Sequence, residues 1–414
     1  MDPAAFAGSP IGHLVPLKGT DGLGRTYEVA AFVADPLPPE VPLDNAAWRA
    51  VSRANHALGR LQQAARMIPN PALLRTPTIR REAQSTSALE GTFAPLEEVL
   101  AADVIDVPRR SAALREVLNF VEAAEAAFDW LADARPVTVG LLCRLHKILV
   151  ANTEADTRQA GQIRSIAVAI GSRGGSVEDA RFVPMPPGTS LDAAVNDFVD
   201  WLRPDDGAPQ RDPVVSAAMG HYQFETLHPF NDGNGRLGRL LVVVQLLRDH
   251  AITEPLLSVS PWFERRRDLY QDHLGALSRT GDWSPWVQFF AEGIEAAAVD
   301  TARRIDLLLD TQERYREQIR AAGLRGAIRD IADLLIGTPF VTISSLADAV
   351  GTTYQATSTA VGRLEGLKIL SEVTGRSQNR IYRASAVVDV LTSSPVTELD
   401  WNARASRSSI TSQT

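Results

Sequence analysis

The twelve residues from His228 to Arg239 read His-Pro-Phe-Asn-Asp-Gly-Asn-Gly-Arg-Leu-Gly-Arg, a set of groups suited to one kind of chemistry. Gly233, Asn234 and Gly235 stand just before a long apolar run. Small residues at the start of a helix let backbone N–H groups approach an anion, and the helix end adds about half a positive charge. Arg236 and Arg239 are spaced so that both guanidinium groups leave the first helical turn on one side. Two cations there are unfavourable by themselves, because a helix N-terminus prefers anions. A bound polyphosphate removes the conflict, since arginine forks match phosphate oxygens. Asp232 would repel such phosphates unless a Mg2+ ion bridged them. His228, whose imidazole by default titrates near neutrality, is a reasonable general base toward a hydroxyl nucleophile, a role worth roughly 10²- to 10⁴-fold in rate. Singly, an Asn-Gly before a helix is an ordinary turn and a histidine an ordinary structural residue. Together these groups describe a phosphate-binding loop with a base beside it.

The elements that must hold this loop are helical. Leu240, Val243, Val244 and Leu247 occupy the i, i+3, i+4, i+7 positions of a helix that should be central. A preceding helix is expected from Pro213 to Leu227, and others near 45–65, 111–132, 137–152 and 191–202. Pro69 to Pro77 predicts a break, followed by a short helix from Ile79 to Leu89 that stops at Gly91. One stretch has a different period. Ile166, Val168 and Ile170 alternate with small residues, then come Gly171 to Gly175 and Arg181-Phe182-Val183, which predicts a β-hairpin ended by Pro184. An exposed edge of that hairpin could pair with an extended segment of another protein. Residues 1–44, rich in Pro and Gly, are read as extended, with a short strand from Arg25 to Val33.

The segment 228–239 closely resembles the signature of the Fic family, His-x-Phe-x-(Asp/Glu)-Gly-Asn-(Gly/Lys)-Arg-x-x-Arg, at every specified position. Residues 221–225, 161–187 and 283–290 are also similar to that family, and the resemblance extends over about 45–300. It implies a mainly α fold, a Fic helical core with a β-hairpin flap, and transfer of AMP from ATP to a Tyr, Thr or Ser hydroxyl of a target protein or of the chain itself. By the same resemblance His228 would deprotonate that hydroxyl, Phe230 would anchor the loop and Asp232 would hold Mg2+. Gly233, Asn234 and Gly235 would form the anion nest, and Arg236 and Arg239 would hold the outer phosphates. Ile166, Val168 and Ile170 would line the flap that docks the target. Thr86-Ser-Ala-Leu-Glu90-Gly91 matches the (Ser/Thr)-x-x-x-Glu-(Gly/Asn) motif of self-inhibited members, in the class with an N-terminal inhibitory helix. Glu90 would then pair with Arg239 and fill the γ-phosphate slot. A 100-fold block needs only about 2.7 kcal/mol. Glu90 could instead position water for removal of AMP from a modified target.

Residues 326–390 follow the order helix, helix, turn, helix, hairpin, that of a small winged-helix domain. Its expected recognition helix, Tyr354 to Leu364, carries only Arg363 as a cation, so protein docking or homodimerisation is favoured over DNA. A DNA-binding regulator with a nucleotide-sensing core is the main rival reading. The formal net charge of -8 gives no global pull toward nucleic acid or anionic membrane. The single cysteine, Cys143, excludes an intrachain disulfide and is read as a core filler. Without a signal sequence or an apolar stretch long enough to span a bilayer, a cytoplasmic location is expected. The expected divisions are an N-terminal segment 1–44, a helical region with the inhibitory helix 45–110, a catalytic core 111–300, a linker helix 301–325, the winged helix 326–390 and a disordered tail 391–414.

Overall fold

The structure is a computed structural model that describes residues 1–20, 24–68, 70–106, 110–171, 177–203 and 211–393. An N-terminal arm comes first: a one-turn helix α1 (Pro3–Phe6), then strands β1 (Gly12–Thr20) and β2 (Thr26–Ala34), paired antiparallel from Gly12–Ala34 to Thr20–Thr26. Only the second strand is legible in the sequence, because Pro16 and two glycines interrupt the pattern of the first.

The helical body begins with α2 (Asn45–Arg66), whose cap residue Asp44 accepts the Ala47 N–H at 2.7 Å. Next is α3 (Ala72–Leu89), longer than the sequence suggests, because Pro77 lies inside it. Proline removes one helical donor, which should be that of the Leu73 carbonyl four residues back. The backbone at Gly337 packs against this carbonyl so closely that a Cβ there would lie 2.1 Å from it. Tertiary packing thus carries the helix through a sequence break.

Four further helices follow: α4 (Leu96–Leu100), α5 (Ala112–Ala132), α6 (Val139–Leu149) and α7 (Thr189–Leu202). Cys143 on α6 is partly buried against the core. Helices α8 (Pro213–Leu227) and α9 (Asn234–Arg248) sit at the centre, joined by the motif loop. Every residue of α9 from Asn234 to Leu246 is buried, as a helix apolar on all sides requires. Then come α10 (Ser260–Arg265), α11 (Arg267–Thr280) and the 39-residue α12 (Trp283–Ala321), which packs along α2. Helix α12 runs unbroken across residue 300, so the division expected there falls inside a helix.

The C-terminal part consists of α13 (Ile328–Leu334), β3 (Phe340–Val341), α14 (Ile343–Val350), α15 (Tyr354–Gly366), β4 (Ser371–Glu372), β5 (Tyr382–Arg383) and α16 (Ser385–Thr392). The three strands form a sheet in the order β3-β5-β4. Thr342 caps α14, in a capping box with Ser345. Helix α16 extends over only the first two residues, 391–392, of the expected tail, and residues 394–414 of that tail fall outside the described residues. Arg81 of α3 donates to the Leu391 carbonyl at 3.0 Å and Arg304 of α12 to the Ser393 carbonyl at 2.7 Å, which ties this part to the helical body. No described helix is long and apolar enough to cross a membrane.

The expected flap hairpin is not regular. Among the described residues, 166–183 contain a single antiparallel bridge, Ile170 to Phe182. The tip residues 172–176 lie outside the described residues. The far edge of this segment is taken by the arm: the Phe32 N–H of β2 donates to the Val183 carbonyl at 2.9 Å.

Candidate active site

The motif loop turns sharply between α8 and α9. His228 caps α8 in the left-handed region (φ +49°), which is uncommon for a residue other than glycine. Arg164 holds it there, donating from Nε to the His228 carbonyl at 2.8 Å and from its terminal nitrogens to the carbonyls of Met185 at 2.6 Å and Ile166 at 3.2 Å. Arg164 is buried and all of these partners are carbonyls, so burial lowers its pKa to about 10. Phe230 is buried and stacks on His146, centroids 4.1 Å apart. The Asn234 side chain is spent on the loop itself, accepting from the Phe230 N–H at 2.9 Å and donating to its carbonyl at 2.7 Å. Asn234 can therefore contribute to an anion nest only through its backbone.

His228 Nδ1 lies 3.2 Å from the Glu225 carbonyl. A carbonyl can only accept, so Nδ1 carries the proton and Nε2 keeps its lone pair. The sequence suggests an imidazole that titrates near neutrality. Burial instead lowers it to about 4, with the Glu225 carbonyl opposing. The ring is thus neutral at pH 7 and ready to accept a proton.

The two arginines are both buried and both paired, with different partners. Arg239 forms an ion pair with Glu90, at the C-cap of α3. Its Nε also donates to Thr86 Oγ1 at 2.6 Å and a terminal nitrogen to the Thr86 carbonyl at 3.2 Å. Burial alone would raise the Glu90 carboxyl, but Arg239, then Arg236 and His228, hold it below the usual carboxylate range. Gly235 makes room for this contact, since a Cβ there would lie 2.1 Å from a Glu90 oxygen. Arg236 pairs with Glu116 of α5 at 2.5 Å and with Asp232 at 3.3 Å. Glu116 also accepts from Thr92, two residues beyond Glu90, at 2.9 Å.

A third carboxylate was not singled out from the sequence. Glu225 of α8 has one buried oxygen without a partner, and burial raises its pKa to about 7. Gly238 leaves space for it, because a Cβ there would sit 2.4 Å from that oxygen. Tyr270 of α11 meets the Arg239 guanidinium with its hydroxyl and takes a 2.8 Å contact from His221.

His228, Gly235, Arg239, Glu90, Glu225 and Tyr270 line one cavity of about 170 Å3, whereas Gly233, Asn234 and Arg236 are not part of its lining. The flap segment reaches it through Ile170, whereas Ile166 is 54% exposed and neither it nor Val168 lines the cavity. Asp232 lies outside the cavity lining, with its side chain 60% exposed. Among the described residues no three metal-ligating side chains gather. Asp232 alone fits Mg2+ in the usual way for that ion beside phosphates, one carboxylate with phosphate oxygens and water completing the shell. Glu116, Thr92 and Glu225 escape a reading of local pattern because their partners lie far along the chain or across a helix interface.

Comparison with known proteins adds a second line of observation. Residues 48–129 match the Fic/DOC family N-terminal domain and residues 136–246 the Fic/DOC family domain. Protein adenylyltransferase fic-1 of Caenorhabditis briggsae is 32% identical over 222 residues, covering 51% of this chain and 39% of the relative. Protein adenylyltransferase Fic of Drosophila willistoni is 28% identical over 242 residues, covering 57% and 44%. The chain thus spans less than half the length of these curated relatives. Among solved structures, a Fic family protein from Desulfovibrio desulfuricans G20 superposes with a TM-score of 0.53 at 24% identity, over 84% of this chain and 98% of that one, a likeness of fold.

Proposed function

The chain belongs to the Fic/DOC family, and on that premise we propose that it is a self-inhibited protein adenylyltransferase, which moves AMP from ATP to a hydroxyl side chain of a target protein or of itself. The observation that carries this reading is the Glu90–Arg239 pair beside His228 in one cavity at the start of α9.

The chemistry assigned to this chain's residues is as follows. The N-terminal turn of α9, with Gly233 and Gly235 and the guanidinium groups of Arg236 and Arg239, binds the phosphates and stabilises charge on the leaving diphosphate. His228 Nε2 takes the proton of the target hydroxyl. The oxygen bonds to the α-phosphorus as the bond from that phosphorus to the α–β bridging oxygen breaks, and diphosphate leaves. Asp232 would be the residue that holds Mg2+, which would supply neutralisation of phosphate charge. The flap segment would meet the target backbone along its exposed residues, Ile166 among them.

Glu90 is the brake. With its carboxylate on Arg239, the outermost phosphate has no cation to meet, and ATP binds without the geometry for transfer. A bidentate or charge-assisted Arg–carboxylate contact is strong enough to supply a 100-fold block, about 2.7 kcal/mol.

The test is intact-mass analysis of the Glu90→Gly chain after incubation with Mg2+ and each nucleoside triphosphate in turn. One added AMP unit from ATP is expected, with far less on the unaltered chain and none on the Glu90→Gly, His228→Ala double variant. Equal labelling with and without His228 would overturn the mechanism.

A further inference from the structure

The cavity has a second end that the phosphate-binding groups do not use, and its direction follows from α11. Tyr270 stands at the Arg239 end. Arg279, nine residues further along the same helix, also lines the cavity, so the lining extends about 13 Å along α11 at 1.5 Å per residue. Polar groups surround the first end. At the other, Phe6 of the N-terminal arm, Ile170 and Phe182 of the flap segment, and Leu274 and Gly275 of α11 line the cavity beside Ser278 and Arg279.

Phe6 is held firmly in that place. It is 3% exposed and packs edge-on against Phe32 of β2 (centroids 5.7 Å apart) and against Phe182 (6.1 Å), with the Arg279 guanidinium 5.7 Å from its ring. The arm around it is seated on the C-cap of α11, where a Cβ on Gly281 would lie 2.3 Å from the Pro10 ring. The Phe32 N–H bond to the Val183 carbonyl fixes arm and flap segment to each other. Phe6 is therefore a wall of the cavity, positioned by three elements distant in sequence.

We infer that Phe6 is a base-contacting residue of the nucleotide site: the N-terminal arm completes that site, and the base lies against Phe6 at the end of the cavity away from Arg239. This rests on the reading of the α9 loop as a phosphate cradle. A phosphate chain held at Arg239 directs the rest of a nucleotide along α11, and a flat heterocycle suits an aromatic and aliphatic end. Base–aromatic contact depends on the π-face and tolerates any base, so Phe6 contributes affinity for a base rather than a choice among bases.

The test is calorimetric titration of the full chain carrying Glu90→Gly, with two probes in the presence of Mg2+: ATP, and inorganic tripolyphosphate, which has no base. Phe6→Ala is expected to weaken ATP about tenfold, within the range for loss of one base–aromatic contact, and to leave tripolyphosphate within twofold. Phe6→Trp should retain ATP affinity. Phe32→Ala, which loosens the arm but lines no part of the cavity, should weaken ATP less than Phe6→Ala. ATP affinity unchanged by Phe6→Ala, or an equal loss for both probes, would overturn the inference while leaving the phosphate cradle intact. Binding of neither probe by the Glu90→Gly chain would overturn the cradle reading, and the inference with it.

Discussion

Arg236 and Arg239 leave the same turn of α9, both are buried, and each meets a carboxylate, yet the two pairs are built differently. Glu90 comes from the cap residue of α3, where the helix ends, and its side chain is 38% exposed toward the cavity. Glu116 lies within α5, 22% exposed, and is tied to Thr92 as well. Arg239 keeps Thr86 if Glu90 leaves. Arg236 would keep only the solvent-exposed Asp232 if Glu116 left. The first pair is thus arranged to open and the second to stay closed. Position on a helix, interior or cap, and a second partner for the cation decide whether an ion pair works as a brake or as a brace.

The largest effect should separate the two pairs directly. Glu90→Gly is expected to raise AMP incorporation about 100-fold, equivalent to about 2.7 kcal/mol. Glu116→Gln should not raise it, and should lower it as Arg236 loses its position. Radiolabelled ATP measures both, and activation by Glu116→Gln would erase the distinction.

Next in size is stability. Removing one member of a buried pair leaves its partner uncompensated, at a cost of about 3 kcal/mol or more when burial is complete. With Glu116 partly exposed, Glu116→Ala should cost about 2 kcal/mol, and Glu90→Ala under about 1 kcal/mol. Urea denaturation midpoints compare them. An equal or greater loss for Glu90→Ala would reverse the assignment of brake and brace.

A smaller effect is expected with pH. His146, His221 and His228 are lowered by burial from 6.5 to about 4, about 3 and about 4. Below pH 6.5 the unfolded chain takes up protons at these sites and the folded chain does not, so stability falls as pH falls toward 4. Glu225, raised to about 7, and Glu82, also raised, act in the opposite sense, since their folded forms bind protons first. His273, also lowered, acts with the three histidines, and Glu125 and Glu292, also raised, act with the two carboxyls, so four groups stand against four between pH 6.5 and 4.5. Glu225→Gln removes one group of the second set, and its Tm should fall further than the parent's as pH drops over this range. A variant Tm that falls less than the parent's would count against these assignments.

The smallest effect belongs to a pair outside the site. Lys18 and Glu28 on the arm hairpin are 2.8 Å apart, but both are more than 60% exposed. Lys18→Ala should change stability by a few tenths of a kcal/mol, within error of the parent in the same urea measurement.

Much of this molecule is legible along the chain. The helix from Pro213 to Leu227 has the ends that its proline and the loop after it suggest, and α9 is as central as its unbroken apolar run demands. Local rules fail at α3, where Pro77 reads as a break until Gly337 packs on the carbonyl beside it. They fail again at the flap segment, whose alternating residues promise a regular hairpin where the described residues hold a single bridge. The pairing of Glu90 with Arg239 is suggested by motif, whereas Glu116, 120 residues from Arg236, carries no local mark.

By itself, the sequence determined which chemical groups share the loop from His228 to Arg239 and that a buried helix follows it, because spacing and apolar period act over a few residues. Tertiary structure alone decided that Glu116 meets Arg236, that burial pushes His228 to about 4, and that Phe6, more than 160 residues from Ile170, shares a cavity with it. Ion pairing, desolvation and enclosure depend on distances in space, and those exist only after distant segments have packed together.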